Sequence, residues 1–149
     1  MKFELNKTYN FKIKNYSFGD LTGDELKILF RDGRFASPFL ELQLTKWFEE
    51  LTHVPGNKGH DHTDKQGKLY DAKNFTKNGL KFQPSAMLGT GRKFIAEVAH
   101  EKAAGLIYIC CDIVDFPEIR IKFSEGKRLI LDYPKCEIKP KERENFYAQ

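Results

Sequence analysis

The stretch His60-Asp61-His62-Thr63-Asp64-Lys65-Gln66-Gly67-Lys68-Leu69-Tyr70-Asp71-Ala72-Lys73 decides how this chain is read. Its middle, Asp64-Lys65-Gln66-Gly67, is turn chemistry: an aspartate that bonds its own backbone, and a glycine for positive φ. The flanks, about residues 60–63 and 68–74, are predicted to pair as an antiparallel hairpin. The turn folds residue 61 back opposite residue 70 or 71. Asp71 and Lys73 stand two apart on one strand and so share a face. Two carboxylates and an ammonium therefore converge on a small area of sheet.

Carboxylates held side by side repel unless a cation sits between them. A hard divalent ion suits the pair, Mg²⁺ first and Mn²⁺ as a substitute, because such ions take oxygen ligands. An ion there would polarise a phosphodiester oxygen and lower the pKa of water. Lys73 would orient that water or stabilise charge on the phosphorane. On an ordinary exposed hairpin the same residues are only solvated charges. The apolar helix and the Pro-Gly ahead of them, with the turn that closes the pair, favour the metal reading.

Upstream, Thr8 to Tyr16 alternates Tyr9, Phe11 and Ile13 with Lys12 and Lys14, the period of a half-buried strand. Thr22-Gly23-Asp24-Glu25 is a capping box, predicting a short helix through Phe30 that Asp32-Gly33 ends as a turn. Ser37-Pro38 predicts the start of a second helix. It carries Phe39, Leu40, Leu42, Leu44, Trp47, Phe48 and Leu51, and Pro55-Gly56 stops it. Downstream, a strand is expected around Leu80-Lys81-Phe82 and a helix over Arg92 to Ala104, capped by Gly105. The apolar run Leu106 to Val114 reads as a central strand, ended by Asp115 and Pro117. Glu118 to Phe123 reads as an outer strand, and the charged tail after Pro134 as irregular. The expected fold is α/β (α+β), a mixed central sheet flanked by helices.

The chain has 149 residues, 40% hydrophobic and 31% charged, which fits one globular domain. No apolar run approaches the roughly 20 residues of a membrane span, so no membrane partner is expected. The opening Met1-Lys2-Phe3-Glu4-Leu5-Asn6-Lys7 is not an apolar signal stretch. A net charge of +4 permits a nucleic-acid partner without demanding one. Cys110 and Cys111 lie in an apolar run and Cys136 stands alone, without zinc or disulfide spacing. They read as small buried hydrophobes in a reducing, cytoplasmic compartment.

The run Val54-Pro55-Gly56-Asn57-Lys58-Gly59-His60-Asp61, continued by Gly67-Lys68-Leu69-Tyr70-Asp71-Ala72-Lys73, resembles the active-site hairpin of the PD-(D/E)xK nucleases. Within them it is most similar to the PvuII-type restriction endonucleases, over roughly residues 37–115. The resemblance implies a restriction-endonuclease-like core. Asp61 and Asp71 match the metal-binding carboxylates, Asp standing where the PvuII type has Glu. Lys73 matches the catalytic lysine, and the Ala72 carbonyl would be a backbone metal ligand. Two positions depart from the pattern. His60 replaces the proline of the superfamily's name, and Lys58 stands where the PvuII type carries an acid.

Several further residues enter as candidates. Glu41, flanked by Phe39-Leu40 and Leu42, is expected to point inward from its helix, and several nuclease families place a helical glutamate near the metal. His60 and His62 flank Asp61 and would face away from it, so a zinc reading has little support; a DNA phosphate is the better partner for His62. In Ser85-Ala86-Met87-Leu88-Gly89-Thr90-Gly91-Arg92-Lys93 the glycines let backbone approach a ligand, and Arg92 and Lys93 would open a helix. In the PvuII-like arrangement this loop falls where bases are read, although the consecutive histidines of that type are absent. Arg92 would read guanine and Thr90 add a contact. Lys77, Lys81 and Lys93, with Lys58, Lys65 and Lys68, would line a phosphate track.

The expectation is a Mg²⁺-dependent, site-specific double-strand DNA endonuclease in a bacterial or phage-infected cell, working as a homodimer or higher homo-oligomer. Its catalytic core would span residues 37–123, with 1–36 an N-terminal elaboration and 124–149 a C-terminal extension. A homing endonuclease on the same fold, a junction resolvase and a non-catalytic DNA-binding module stay open as alternatives.

Overall fold

The computed structural model describes residues 1–56 and 58–148; Asn57, part of the run quoted above, lies outside them. Eight strands and five α-helices are found among the described residues. The main sheet has six strands in the order β1-β7-β6-β4-β3-β2. These are β1 (Thr8–Lys12), β7 (Glu118–Glu125), β6 (Ile107–Asp112), β4 (Leu69–Phe75), β3 (His62–Thr63) and β2 (Thr52–His53). Only β4 and β6 run parallel, joined by a crossover through α3 (Ala96–Ala104); the other neighbours are antiparallel. The sheet is thus mixed, as the element order implied. No helix among the described residues is long and apolar enough to cross a membrane.

Each face of the sheet has its own core. On one, α1 (Gly23–Phe30) and α2 (Gly33–Trp47) cover Tyr70, Ile109, Cys111, Ile121 and Phe123. Leu40, Leu44 and Phe48 enter this core with at most 1% exposure, so truncating any of them to Ala would cost about 2–5 kcal/mol. Aromatic rings knit the N-terminal segment to it: Phe3 stacks on Phe123 at 3.8 Å and Phe11 on Trp47 at 4.1 Å. On the other face, α3, α4 (Gly126–Asp132) and α5 (Arg143–Ala148) cover Phe75, Leu106, Tyr108 and Cys110. All three cysteines are buried and unpaired.

Several elements differ from the expectation. The capping box at Thr22 forms as read, with Thr22 and Glu25 bonding each other's backbone N–H. The first helix ends at Phe30 as read, but Asp32, in the turn after it, also caps the next helix. Its carboxylate accepts from Arg34 N, so α2 starts at Gly33 and takes Pro38 into its interior. An interior proline costs about 3 kcal/mol, more than one cap returns, so the burial of Ala36, Leu40 and Leu44 carries the longer helix. The helix ends at Trp47, and the chain beyond it forms β2. β7 is not an outer strand: β1 covers its far side. The tail is ordered too. β8 (Glu137–Ile138) pairs with β5 (Leu80–Lys81) in a separate two-stranded sheet, and α5 docks beyond it. Its anchors are non-local: Tyr147 Oη donates to Cys110 O, and Lys122 Nζ to Phe146 O at 2.6 Å.

Candidate active site

The hairpin forms where the sequence put it. Asp64 Oδ1 accepts from Gln66 N and Lys68 N, and Gly67 takes φ +78°. Tyr70 Oη donates to Asp64 Oδ2 at 2.7 Å, locking the turn onto the strand.

Asp61 is the irregular point. His62 is the ladder partner of Tyr70, yet Asp61 N also bonds Tyr70 O at 2.8 Å. Two consecutive residues thus face one, the geometry of a β-bulge, which bends the strand and re-aims a side chain. The Asp61 carbonyl meanwhile turns the other way, accepting from Val54 N. The re-aimed carboxylate reaches across the strand: Asp61 Oδ2 accepts from Ala72 N at 2.9 Å. Because β3 is so short, nothing pairs with β4 beyond this point on that side. The Ala72 carbonyl points the same way as its N–H and is left facing the gap.

That gap is a cleft of about 300 Å³. Asp61, Asp71, Ala72, Lys73 and Asn74 line it from the hairpin, Ser37 and Glu41 from α2, Lys58 and His60 from the loop before β3, and Lys102 from α3. Lys73 Nζ lies 3.2 Å from Asp71 Oδ2. Asp71 is 9% exposed, beside buried Tyr108 in register on β6. Burial pushes its carboxyl up to about 6, with the neighbouring Asp61 adding to the rise against the opposing pull of Lys73. The Lys73 ammonium, the ion-pair partner of Asp71 among the described residues, does not offset this burial. The donors, two carboxylates and a carbonyl, are hard oxygens of the kind Mg²⁺ takes. Among the described residues no three or more His, Cys, Asp or Glu side chains stand close enough to hold a metal between them. An ion here would rest on Asp61, Asp71 and the Ala72 carbonyl, with water completing its shell.

The remaining candidates separate. Glu41 does face the cleft, and its Oε2 lies 3.3 Å from His53 Nε2. His62 is fully buried and its Nε2 bonds Glu41 O at 2.7 Å, so it is no phosphate contact. The Pro-Gly turn and the bulge press β3 against α2, which removes the ring from solvent. Arg92 and Lys93 do not open a helix, since α3 begins only at Ala96. No side chain caps an earlier start, and Gly89 and Gly91 hold positive φ. Arg92 Nη1 instead donates to Ser85 O at 2.9 Å, tying the exposed Thr90–Lys93 loop to a residue on the cleft rim. Lys81 is exposed on β5. Lys77 lines a different cleft, with Arg31, Asp32 and Arg34.

Sequence reasoning missed Lys102, Ser37 and Asn74. Lys102 sits in the last turn of α3, where it reads as a helix-end lysine, and only the crossover brings it to the cleft. Asn74 Nδ2 donates to Ser37 Oγ at 2.6 Å, pinning α2 to β4 at the cleft wall. The ion pairs of the cleft are Lys73 with Asp71 and His53 with Glu41, the second an ion pair when His53 is protonated. Lys58 and Lys102 make none among the described residues and stand on different walls. Compared with models of protein families and with curated proteins, the chain matches none.

Proposed function

We propose that the chain is a Mg²⁺-dependent, site-specific endonuclease of restriction type that hydrolyses phosphodiester bonds in double-stranded DNA on a PD-(D/E)xK-type core. One observation carries this reading: the Asp61–Asp71 pair, brought together by the bulge beside Lys73 and the Ala72 carbonyl, with the Asp71 carboxyl buried and its pKa raised. Asp61, Asp71 and the Ala72 carbonyl would hold the ion. When bound, it supplies charge neutralisation at the phosphate and a lower pKa for water at the site. Lys73 orients the attacking water and donates to the charge that builds on the phosphoryl oxygens, the 3′ oxygen leaving and a 5′ phosphate remaining. Lys58 and Lys102 hold the backbone on either side.

Arg92, on the loop tied to the cleft rim, is the residue for guanine readout, with Thr90 and Lys93 beside it. One chain supplies one such site, so cutting both strands takes two copies in a homodimer or higher homo-oligomer. Three buried free thiols suit the reducing cytoplasm.

The test is incubation of purified protein with a long natural DNA in Mg²⁺, Mn²⁺, Ca²⁺ or a chelator, followed by sequencing of the ends. Cleavage at a recurrent sequence in Mg²⁺ and Mn²⁺ only is the expected result. Binding in Ca²⁺ with no cleavage under any condition would reduce the chain to a DNA-binding module. Preference for a four-way junction over linear duplex would make it a resolvase.

A further inference from the structure

Three observations converge on Glu41. His53 of β2 and His62 of β3 are direct cross-strand partners, with ring centroids 5.5 Å apart. Both reach the same residue of α2: His53 Nε2 lies 3.3 Å from the Glu41 carboxylate, and His62 Nε2 lies 2.7 Å from its carbonyl. A carbonyl only accepts, so His62 carries its proton on Nε2. Its Nδ1 is then a bare acceptor, a buried side-chain atom with no hydrogen-bond partner among the described residues. His53 faces a carboxylate and likewise donates from Nε2. The two histidines thus present two N–H donors to one glutamate, whose free side lines the cleft of Asp61 and Asp71.

We propose that His53 is a positioning residue that fixes the Glu41 carboxylate toward the waters of a cation held by Asp61 and Asp71, with His62 securing the backbone beneath it. This rests on the metal-site reading above. Glu41 is not placed to join Asp61 and Asp71 as a third direct ligand. Mg²⁺ binds six oxygens and keeps several waters. A carboxylate held across the cleft accepts hydrogen bonds from those waters, as outer-shell partners do at metal sites. A glutamate freed from His53 would swing into solvent, because its side chain is 29% exposed.

The experiment is Mn²⁺ titration of the DNA-free protein by calorimetry, with wild type, His53→Ala, His53→Gln, Glu41→Gln, the double variant His53→Ala/Glu41→Gln, and Asp71→Asn. The Gln side chain at 53 offers an N–H close to where Nε2 stood. His53→Ala and Glu41→Gln are each expected to weaken Mn²⁺ binding about tenfold. The double variant should lose no more than either single, and His53→Gln should return to within about threefold of wild type. Asp71→Asn should abolish binding. If Asp71→Asn abolishes binding while His53→Ala and Glu41→Gln bind like wild type, the role of His53 is overturned and the metal site stands. Additive losses in the double variant overturn it equally. A wild-type protein that binds no Mn²⁺ overturns both. Glu41→Gln keeps the shape of the side chain, so it tests the proposal even if His53→Ala does not fold.

Discussion

Two ionic clusters sit at opposite ends of the sheet, and they are built in opposite ways. At one end, Asp112 is 1% exposed and accepts from Arg120 Nε, Arg143 Nε and Val114 N, at 2.8, 2.9 and 3.1 Å. Arg143 also holds Asp115, and Arg120 holds Glu144 bidentately. Hydrogen bonds from these guanidiniums lower the pKa of both outer carboxylates. The cleft this cluster lines is the roomier of the two, about 550 Å³, yet its charges are spent on one another. At the other end, Asp71 pairs with Lys73, Asp61 lies beside it, and the Asp71 carboxyl is pushed up. A saturated cluster fastens α5 to the sheet. The other leaves a buried carboxylate with its pKa raised, a place where the proposed cation would bind. The size of a cleft is therefore a poorer guide to chemistry than the sign of its unpaid charge.

This contrast breaks most visibly through substitution. Asp71→Asn and Lys73→Ala should each lower cleavage by about 10³-fold or more while leaving the protein folded and able to bind DNA in Ca²⁺. A gel shift beside a cleavage assay checks it, and cleavage within about tenfold of wild type refutes the site. Lys73→Ala should keep more metal affinity than Asp71→Asn, because an ammonium is not a ligand. At the other end, Asp112→Ala should leave two guanidiniums facing a hole and cost about 3 kcal/mol of stability in urea melts. A loss below about 1 kcal/mol would mean that the network does not fasten α5.

The pH response sharpens the same difference. The folded state binds the Asp71 proton more tightly than the unfolded chain does. Its favourable contribution is thus complete below about pH 4, falls as pH rises towards 6 and is gone above it. The Asp71→Asn variant lacks this loss. Relative to wild type without metal, it should gain about 1–3 kcal/mol between pH 4 and pH 7, and saturating Mg²⁺ should shrink the gap. Denaturant melts across that range decide it; no gain would mean that the carboxyl is not strained in the folded protein.

The smallest effects concern the cleft walls. Lys102→Ala should reduce the dependence of DNA binding on salt by about one in log–log slope, evenly over all sequences. An unchanged slope would return Lys102 to a helix-end role. Arg92→Ala should relax preference at one base pair by about 1–3 kcal/mol; a uniform loss would make it a phosphate clamp.

What could be read in the sequence was local. The turn at Asp64–Gly67, the shared face of Asp71 and Lys73, the capping box at Thr22 and the buried run through Cys110 and Cys111 each follow from neighbours in the chain. What escaped depends on distance or on competition. Asp32 and Ser37-Pro38 both offer a helix start, and only packing chose between them. α4 and α5 have short patterns that mean little until Lys122 and Arg120 meet them from β7. Lys102 reaches the cleft through a crossover. His53 gives no sign of its role until β2 sets it beside His62. The bulge at Asp61 lies between these cases: the hairpin was legible, the extra residue in it was not.

The shortness of β3 carries a hazard as well as an opportunity. A strand with an open flank offers its backbone to any extended segment that drifts past, the ordinary route to edge-to-edge aggregation. Past Tyr70, β4 has such a flank at Ala72. Here it is guarded. The Asp61 carboxylate occupies the Ala72 N–H. Asn74 is tied to Ser37. Lys73 projects charge beside them. A visiting strand would have to displace an aspartate and bury a lysine. Asp61 and Lys73 are thus gatekeepers of this edge whatever else they do, and a variant stripped of both should be prone to self-association.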